Sequence, residues 1–148
     1  IFLGAGGEAA FEQTRAALGG LTVRDALMHR FTVLDTDATL GEAVDALLNS
    51  QESEFVVADT GRPVGLLTRN EIVKGLSEHG KDALVSAYMI KDFFIVSPQT
   101  KLFDFFQSSS EKGQSVALVM DGDNFEGLID IENVQEKLMI TEAMKRAG

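Results

Sequence analysis

The pattern of hydrophobic and polar positions occurs twice along this chain. Gly65 and Gly127 lie 62 residues apart, and the same offset aligns apolar positions on both sides of them without gaps. The aligned pairs are Val33-Leu34 with Ile95-Val96, Leu40 with Leu102, Val57 with Val119, and Leu66-Leu67 with Leu128-Ile129. Internal similarity at a fixed period indicates one supersecondary unit that is present twice.

A further block, upstream of each repeat, matches at a slightly different offset. Residues 23–28 resemble residues 84–89 at an offset of 61, which predicts one inserted residue between the blocks. In each block we predict a short helix, which ends at Met28 in the first copy and at Met89 in the second.

The remaining elements follow from helical spacing, capping signals and turn residues. In the first repeat we predict a strand around Val33-Leu34 and a helix from Leu40 to Ser50, with Leu47 and Leu48 on its apolar face. Strands from Phe55 to Ala58 and from Val64 to Leu67 follow, and then a helix that begins near Arg69 and stops at Gly80. In the second repeat we predict a strand around Ile95-Val96, a hairpin from Val116 to Ile129, and a helix from Glu132 towards Arg146. Thr39 and Glu42 form a predicted capping box.

The order helix, strand, helix, strand, strand, helix predicts an α+β fold. A three-stranded sheet that is covered by helices on one face leaves an apolar surface, which a second such unit can bury. We therefore predict two pseudo-twofold-related units, at residues 21–82 and 83–148, after an N-terminal linker helix in residues 1–20.

Composition narrows the classes of partner and chemistry. The 148 residues include 13 Lys and Arg against 23 Asp and Glu, so the formal net charge is −10, which disfavours nucleic acid as a partner. Cysteine is absent, which excludes disulfides, thiolate zinc sites and a cysteine nucleophile.

The phrase from Phe55 to Ile72, together with the period and the element order, resembles a tandem pair of cystathionine-β-synthase-type (CBS) domains, the Bateman module. The resemblance covers about residues 21–140. It implies a cleft between the two units that often binds adenosine nucleotides, and a module that usually regulates an attached enzyme, channel or transporter. It also implies that the module forms a homodimer through its CBS units.

Thr68 and Glu71 stand at the predicted strand-to-helix boundary of the first repeat. A helix N-terminus attracts phosphate, a hydroxyl there adds a donor, and a carboxylate one turn later can accept from ribose hydroxyls. The resemblance implies a site for AMP, ADP or ATP in which Arg69 also reaches phosphate and the backbone near Val33 and Leu34 faces the base. Thr-x-x-Glu is equally a capping box, worth about 1 kcal/mol. The residues alone leave both interpretations open.

The second repeat carries a degenerate version of this site. Its matching residues are Ile95, Val96, Asp130 and Asn133. Aspartate caps a helix as well as threonine does, but its charge repels phosphate, and Asp121 and Asp123 of the neighbouring hairpin are expected to add to that repulsion. We predict at most one competent nucleotide site per chain.

No catalytic centre can be assembled from this sequence. His29 and His79 are isolated in sequence, and neither His-Glu-x-x-His nor Gly-x-Ser-x-Gly occurs, so we predict no enzyme activity and no metal ligands. A remote alternative is a dinucleotide-binding domain, since the segment from Gly4 to Ala9 matches G-x-G-x-x-A and Asp25 follows. The predicted hairpin repeats do not supply the parallel strands that such a domain needs.

Residues 1–28 resemble the segment that follows the last membrane helix in site-2-protease-type zinc metallopeptidases with a C-terminal CBS pair. The resemblance implies that Ile1 to Ala5 end a membrane helix and that Glu8 to Leu18 form a linker helix. It also implies zinc only in the parent protein, and a location at the cytoplasmic face of the membrane. The predicted function is a regulatory module that binds adenosine nucleotides and modulates an attached membrane zinc metalloprotease. The alternative is a dimerisation scaffold with no ligand site.

Overall fold

The computed structural model describes residues 15–147, and its contacts divide the chain into two compact units. One unit is residues 29–93, called here the β1–β3 unit. The other combines residues up to 28 with residues from 94 onwards, and is called the β4–β6 unit. Each has its own hydrophobic core around a three-stranded sheet.

The β1–β3 unit alternates strands with helices in the predicted order. Its elements are β1 (Thr32–Asp35), α1 (Leu40–Asn49), β2 (Glu54–Asp59), β3 (Arg62–Thr68), α2 (Arg69–His79) and a 3₁₀ turn (Val85–Ala87). Strand β2 pairs with β1 in parallel and with β3 antiparallel. Leu40, Phe55 and Leu67 are fully enclosed in its core.

The β4–β6 unit repeats this arrangement with a longer final helix. Its elements are a 3₁₀ turn (Val23–Ala26), β4 (Phe94–Val96), α3 (Leu102–Lys112), β5 (Val116–Asp121), β6 (Asn124–Asp130) and α4 (Ile131–Ala147). Strand β5 lies between β4 and β6. Phe105 is fully enclosed, and its ring stacks on that of Phe94. The predicted α+β fold with two three-stranded sheets is confirmed.

Local signals predicted most boundaries within one or two residues. The capping box at α1 is present, with Thr39 Oγ1 accepting from Glu42 N and Glu42 Oε2 accepting from Thr39 N, both at 3.2 Å. Thr60 and Gly61 both have positive φ, as a two-residue hairpin turn requires. The predicted apolar face of α1 is wrong at Leu48, which is 76% exposed and does not join the core.

The predicted one-residue insertion is wrong. Met28 exchanges backbone hydrogen bonds with Leu128, and Ile90 exchanges them with Leu66, so the equivalent residues are Met28 and Ile90, at the offset of 62. The predicted short helices are 3₁₀ turns that end before Met28 and Met89. The similarity of Ala-Leu-Met to Ala-Tyr-Met suggests that Met28 aligns with Met89. The backbone bridges show instead that it aligns with Ile90.

The repeated glycine lies where this upstream segment crosses the edge of each sheet. A Cβ atom at Gly127 would lie 2.4 Å from the carbonyl oxygen of Met28, and one at Gly65 would lie 2.4 Å from Sδ of Met89. At Gly127 only a residue without a side chain avoids the backbone of Met28, whereas at Gly65 the neighbouring atoms belong to a side chain. The close approach explains why glycine stands at both positions.

The compact units do not coincide with the sequence repeats. Residues 22–28 begin the first repeat but belong to the β4–β6 unit, and residues 84–90 begin the second repeat but belong to the β1–β3 unit. The predicted boundaries at residues 20, 82 and 148 therefore describe the repeats of the sequence, and as domain boundaries they stay a prediction.

The described residues include only part of the N-terminal segment for which predictions were made. Residues 15–18 are helical, as expected for the end of the linker helix, and Leu18 is buried. The expected end of a membrane helix from Ile1 to Ala5, and the glycine-rich segment from Gly4 to Ala9, lie outside the described residues. Within residues 15–147 no helix is long and apolar enough to cross a membrane.

Candidate functional site

The end of β3 and the start of α2 form the first junction, which carries Thr68, Arg69 and Glu71. Thr68 has an extended backbone and is the last residue of β3, and Arg69 is the first residue of the helix. The Thr68 hydroxyl donates a hydrogen bond to the carboxylate of Glu71. Among the described residues, Thr68 makes no side-chain hydrogen bond to the helix backbone, so the capping-box interpretation is wrong here.

This geometry leaves the first turn of α2 without a cap from Thr68. The N-terminus of a helix presents unpaired N–H groups and partial positive charge, and both favour an anion. Arg69 is exposed beside it, whereas Thr68 and Glu71 are half-buried. The first junction thus combines a hydroxyl donor, a cation, helix N–H groups and a carboxylate acceptor within one turn.

Val33 and Leu34 lie on β1, with β2 between them and β3. Two strand spacings amount to about 10 Å, a distance that a nucleotide can span. Val33 is 51% exposed, whereas Leu34 points into the core and only its backbone could face a ligand. The sheet therefore places these two residues apart from the first junction but within the same unit.

The end of β6 and the start of α4 form the second junction, which carries Asp130 and Asn133. Asp130 is 5% exposed, and its Oδ1 accepts a hydrogen bond of 2.8 Å from the N–H of Glu132. The prediction that Asp130 caps this helix is confirmed. The amide of Asn133 donates to Sδ of Met28 at 2.8 Å.

The other two residues of the degenerate site lie on β4. Ile95 is 57% exposed and Val96 is half-buried. They repeat the exposed and inward pattern of Val33 and Leu34. The predicted equivalence of the two pairs therefore holds for their strand positions.

The predicted contribution of Asp121 and Asp123 to the second junction is wrong. Asp121 pairs with Asn124 at one end of the β5–β6 hairpin, whereas Val116 pairs with Asp130 at the other. Five steps along the strand separate the two ends by about 17 Å. This exceeds the Debye length of about 8 Å at physiological ionic strength, so the negative charge at the second junction comes from Asp130 and from Glu132 in the first turn of α4.

A cavity of about 830 Å³ in the β1–β3 unit was not foreseen from the sequence. It lies between α2 and residues 82–88, and its lining includes Glu71, Lys74, Glu78, His79 and Tyr88. The sequence did not predict it, because no local motif indicates that the two segments which form its walls are in contact.

Tyr88 is the centre of a polar cluster in this cavity. Its hydroxyl donates to Glu78 Oε1 at 3.1 Å and contacts Nδ1 of His79, which must then be the donor. Partial burial, followed by the hydrogen bond and the charge of Glu78, raises the pKa of the Tyr88 hydroxyl above its ordinary value. His79 is thus not isolated in space. No group of three or more potential metal ligands occurs within residues 15–147.

Comparison with known proteins links these features to one family. The family model described as CBS domain matches residues 23–78 and 85–140, two stretches at the offset of 62. An uncharacterised 17.7 kDa protein of Acidianus ambivalens is 25% identical over 115 residues, which cover 76% of this chain and 70% of that protein.

Solved structures share the fold over most of both chains. A CBS-domain-containing hemolysin-like protein of Oenococcus oeni PSU has a TM-score of 0.74 at 25% identity, covering 86% of this chain and 97% of that one. The CBS domain pair of protein MJ0100, in complex with 5-methylthioadenosine and S-adenosyl-L-methionine, has a TM-score of 0.75 at 18% identity and covers 83% and 99%. The CBS domain of a bacterial CNNM/CorC-family Mg²⁺ transporter, in complex with ATP, has a TM-score of 0.76 at 16% identity and covers 89% and 96%.

Proposed function

The chain belongs to the CBS domain family, and from this premise we propose that it is a regulatory CBS pair that binds one adenosine nucleotide at the first junction. Two members of the family with the same fold are known in complexes with adenosine compounds. Because their sequence identity to this chain is low, these structures support a shared fold only. The argument for a ligand therefore rests on the residues of the first junction.

The contact between Thr68 and Glu71 is the observation that supports this proposal most strongly. The same spacing, Thr-x-x-Glu, occurs at Thr39 and Glu42, where both side chains bond to the helix backbone. At the first junction the hydroxyl bonds to the carboxylate instead. Both groups therefore remain available for exchange with a ligand, and the helix N–H groups keep their affinity for phosphate.

Each part of the nucleotide has a partner of suitable chemistry in the β1–β3 unit. The phosphate accepts from the Thr68 hydroxyl and from the first-turn N–H groups, and Arg69 adds a charge-assisted contact. The ribose hydroxyls donate to Glu71, which gives up its bond to Thr68. The base lies towards the backbone of Val33 and Leu34.

Calorimetric titration with AMP, ADP and ATP tests this proposal. We expect one molecule of at least one nucleotide per chain, and loss of binding when Thr68→Ala is combined with Glu71→Ala. Asp130→Ala is the matched control in the other unit and should leave the affinity unchanged or higher. Dissociation constants beyond millimolar for all three nucleotides would refute the proposal.

A dimerisation scaffold without a ligand is the second candidate function. The closed second junction favours it, because there the helix cap is supplied by the chain itself. Light scattering distinguishes the two candidates when it is combined with the titration. A homodimer that binds no nucleotide identifies the scaffold, whereas a homodimer that binds one nucleotide per chain identifies the regulatory module.

We further propose that the module regulates a membrane zinc metalloprotease attached ahead of it, at the cytoplasmic face of the membrane. The support is the sequence of residues 1–28, which resembles the corresponding linker of site-2-protease-type enzymes. The coding sequence upstream of Ile1 tests this directly. Membrane spans and a His-Glu-x-x-His motif there would support the proposal, and their absence would remove it.

A further inference from the structure

We propose that Met28 is an internal plug of the second junction, so that the β4–β6 unit is closed to nucleotides by its own chain. This inference rests on the proposed function, because it assumes that the position of Asn133 is where the ribose would bind. Repulsion by Asp130 was the reason that the sequence suggested; the contact of Met28 is a separate, steric reason.

Both polar positions that a nucleotide would use at this junction are already satisfied. The N–H of Glu132, which a phosphate would approach, donates to Asp130 Oδ1 at 2.8 Å. The amide of Asn133, at the position equivalent to the ribose-binding Glu71, donates to Sδ of Met28 at 2.8 Å. A nucleotide would have to replace the hydrogen bond of Asp130 and displace the thioether, which is a weak acceptor but occupies the space beside the Asn133 amide.

The main chain fixes Met28 in this position. Its N–H donates to the Leu128 carbonyl at 2.8 Å, and its carbonyl accepts from the Leu128 N–H at 3.3 Å. Its carbonyl oxygen also lies where a side chain at Gly127 would be. The backbone of Met28 therefore cannot easily shift, and its thioether reaches the start of α4 at Asn133.

Neighbouring contacts hold the rest of the same segment against the unit. Arg24 forms an ion pair of 3.8 Å with Glu126, and the ammonium of Lys137 donates to the carbonyl of Asp25. The segment therefore contacts both β6 and α4. The backbone that carries Met28 is thus held to both elements.

The β1–β3 unit carries a different residue at the bridging position. The residue equivalent to Met28 is Ile90, whose backbone makes the same bridge to Leu66. Isoleucine has no side-chain acceptor, and Glu71 bonds to Thr68 instead. The difference between the junctions therefore includes the bridging residue as well as the residues that would touch the ligand.

Two variants separate the plug from the charge. The double variant, Asp130→Thr with Ile131→Arg, gives the second junction the hydroxyl and the cation of the first but keeps the contact between Met28 and Asn133. The triple variant adds Met28→Ala, which leaves the backbone bridge to Leu128 intact. We expect calorimetry with the nucleotide that binds best to give one molecule per chain for the double variant and two for the triple variant. Thermal unfolding checks that both are folded, and Met28→Ile replaces Met28→Ala if the latter is not.

The comparison of the two variants decides the inference whatever the wild-type protein does. Two molecules bound by the double variant would show that Met28 blocks nothing. An equal stoichiometry for the double and triple variants, at one or at none, would equally overturn the plug. If the wild-type protein binds none but the triple variant binds one molecule that the double variant does not, the plug stands while the proposed site at the first junction fails.

Discussion

The two junctions use the same backbone scaffold for opposite purposes. At the first, the Thr68 hydroxyl bonds sideways to Glu71 and leaves the helix donors uncapped by its side chain. At the second, Asp130 bonds directly to the N–H of Glu132 and uses that donor. The same backbone position can thus cap its helix, as Asp130 does, or leave the helix donors uncapped by its side chain, as Thr68 does.

The glycines at the sheet edges should give the largest difference between the units. Gly127 has φ +153°, and its added Cβ would meet the backbone of Met28, so Gly127→Ala should cost about 3 kcal/mol of unfolding free energy. Gly65→Ala meets the flexible side chain of Met89 and should cost about 1–2 kcal/mol. Urea denaturation measures both. Equal costs would show that the two segments approach their sheets in the same way.

Removal of the side chain at each junction should give the next largest difference. Asp130→Ala loses a helix cap and should destabilise the protein by about 1 kcal/mol. Thr68→Ala removes no cap and should change the unfolding free energy by less than about 0.5 kcal/mol. A cost for Thr68→Ala as large as that for Asp130→Ala would mean that threonine caps α2 in solution.

A smaller effect is expected from Tyr88, whose equivalent in the β4–β6 unit is Ala26. Its pKa is raised in the folded protein by partial burial and by Glu78, so the folded state binds this proton more tightly than the unfolded state. The associated stability is present below the unfolded pKa of about 10 and is lost as the pH rises through the folded value.

Tyr88 is the chain's only tyrosine, and there is no tryptophan, so ultraviolet absorbance follows this single titration. Denaturation at increasing alkaline pH should show a loss of stability that Tyr88→Phe does not show. An identical pH dependence in the variant would contradict the assignment.

The smallest effect should come from the ion pair between Arg24 and Glu126. Both side chains are partly exposed and 3.8 Å apart, and the equivalent positions in the other unit, Ser86 and Val64, carry no charge. Glu126→Gln should therefore cost at most about 0.5 kcal/mol, and less at high salt. A larger, salt-independent cost in thermal unfolding would show that Glu126 supports the segment by packing.

Local chemistry predicted the elements, but it could not predict which bonds a motif forms. Thr-x-x-Glu forms a capping box at Thr39, but the same motif at Thr68 does not. The hydrogen bonds that form depend on side-chain rotamers, which the local sequence does not determine. The plug by Met28 was equally hidden, since Met28 and Asn133 are 105 residues apart. The upstream blocks were aligned one residue out of register, because their residue types are most similar at an offset of 61 whereas the backbone bridges set the offset at 62.

The crossing of residues 22–28 to the β4–β6 unit has a mechanical consequence. Tension on the chain ahead of residue 22 is borne first by the backbone hydrogen bonds of Leu21, Val23 and Arg24 to residues 98–102, and then by the bridge between Met28 and Leu128. The sheet that follows next in the sequence is loaded only after these contacts yield. A pull from that side is therefore transmitted first to the β4–β6 unit, and the β1–β3 unit, which carries the first junction, is loaded later.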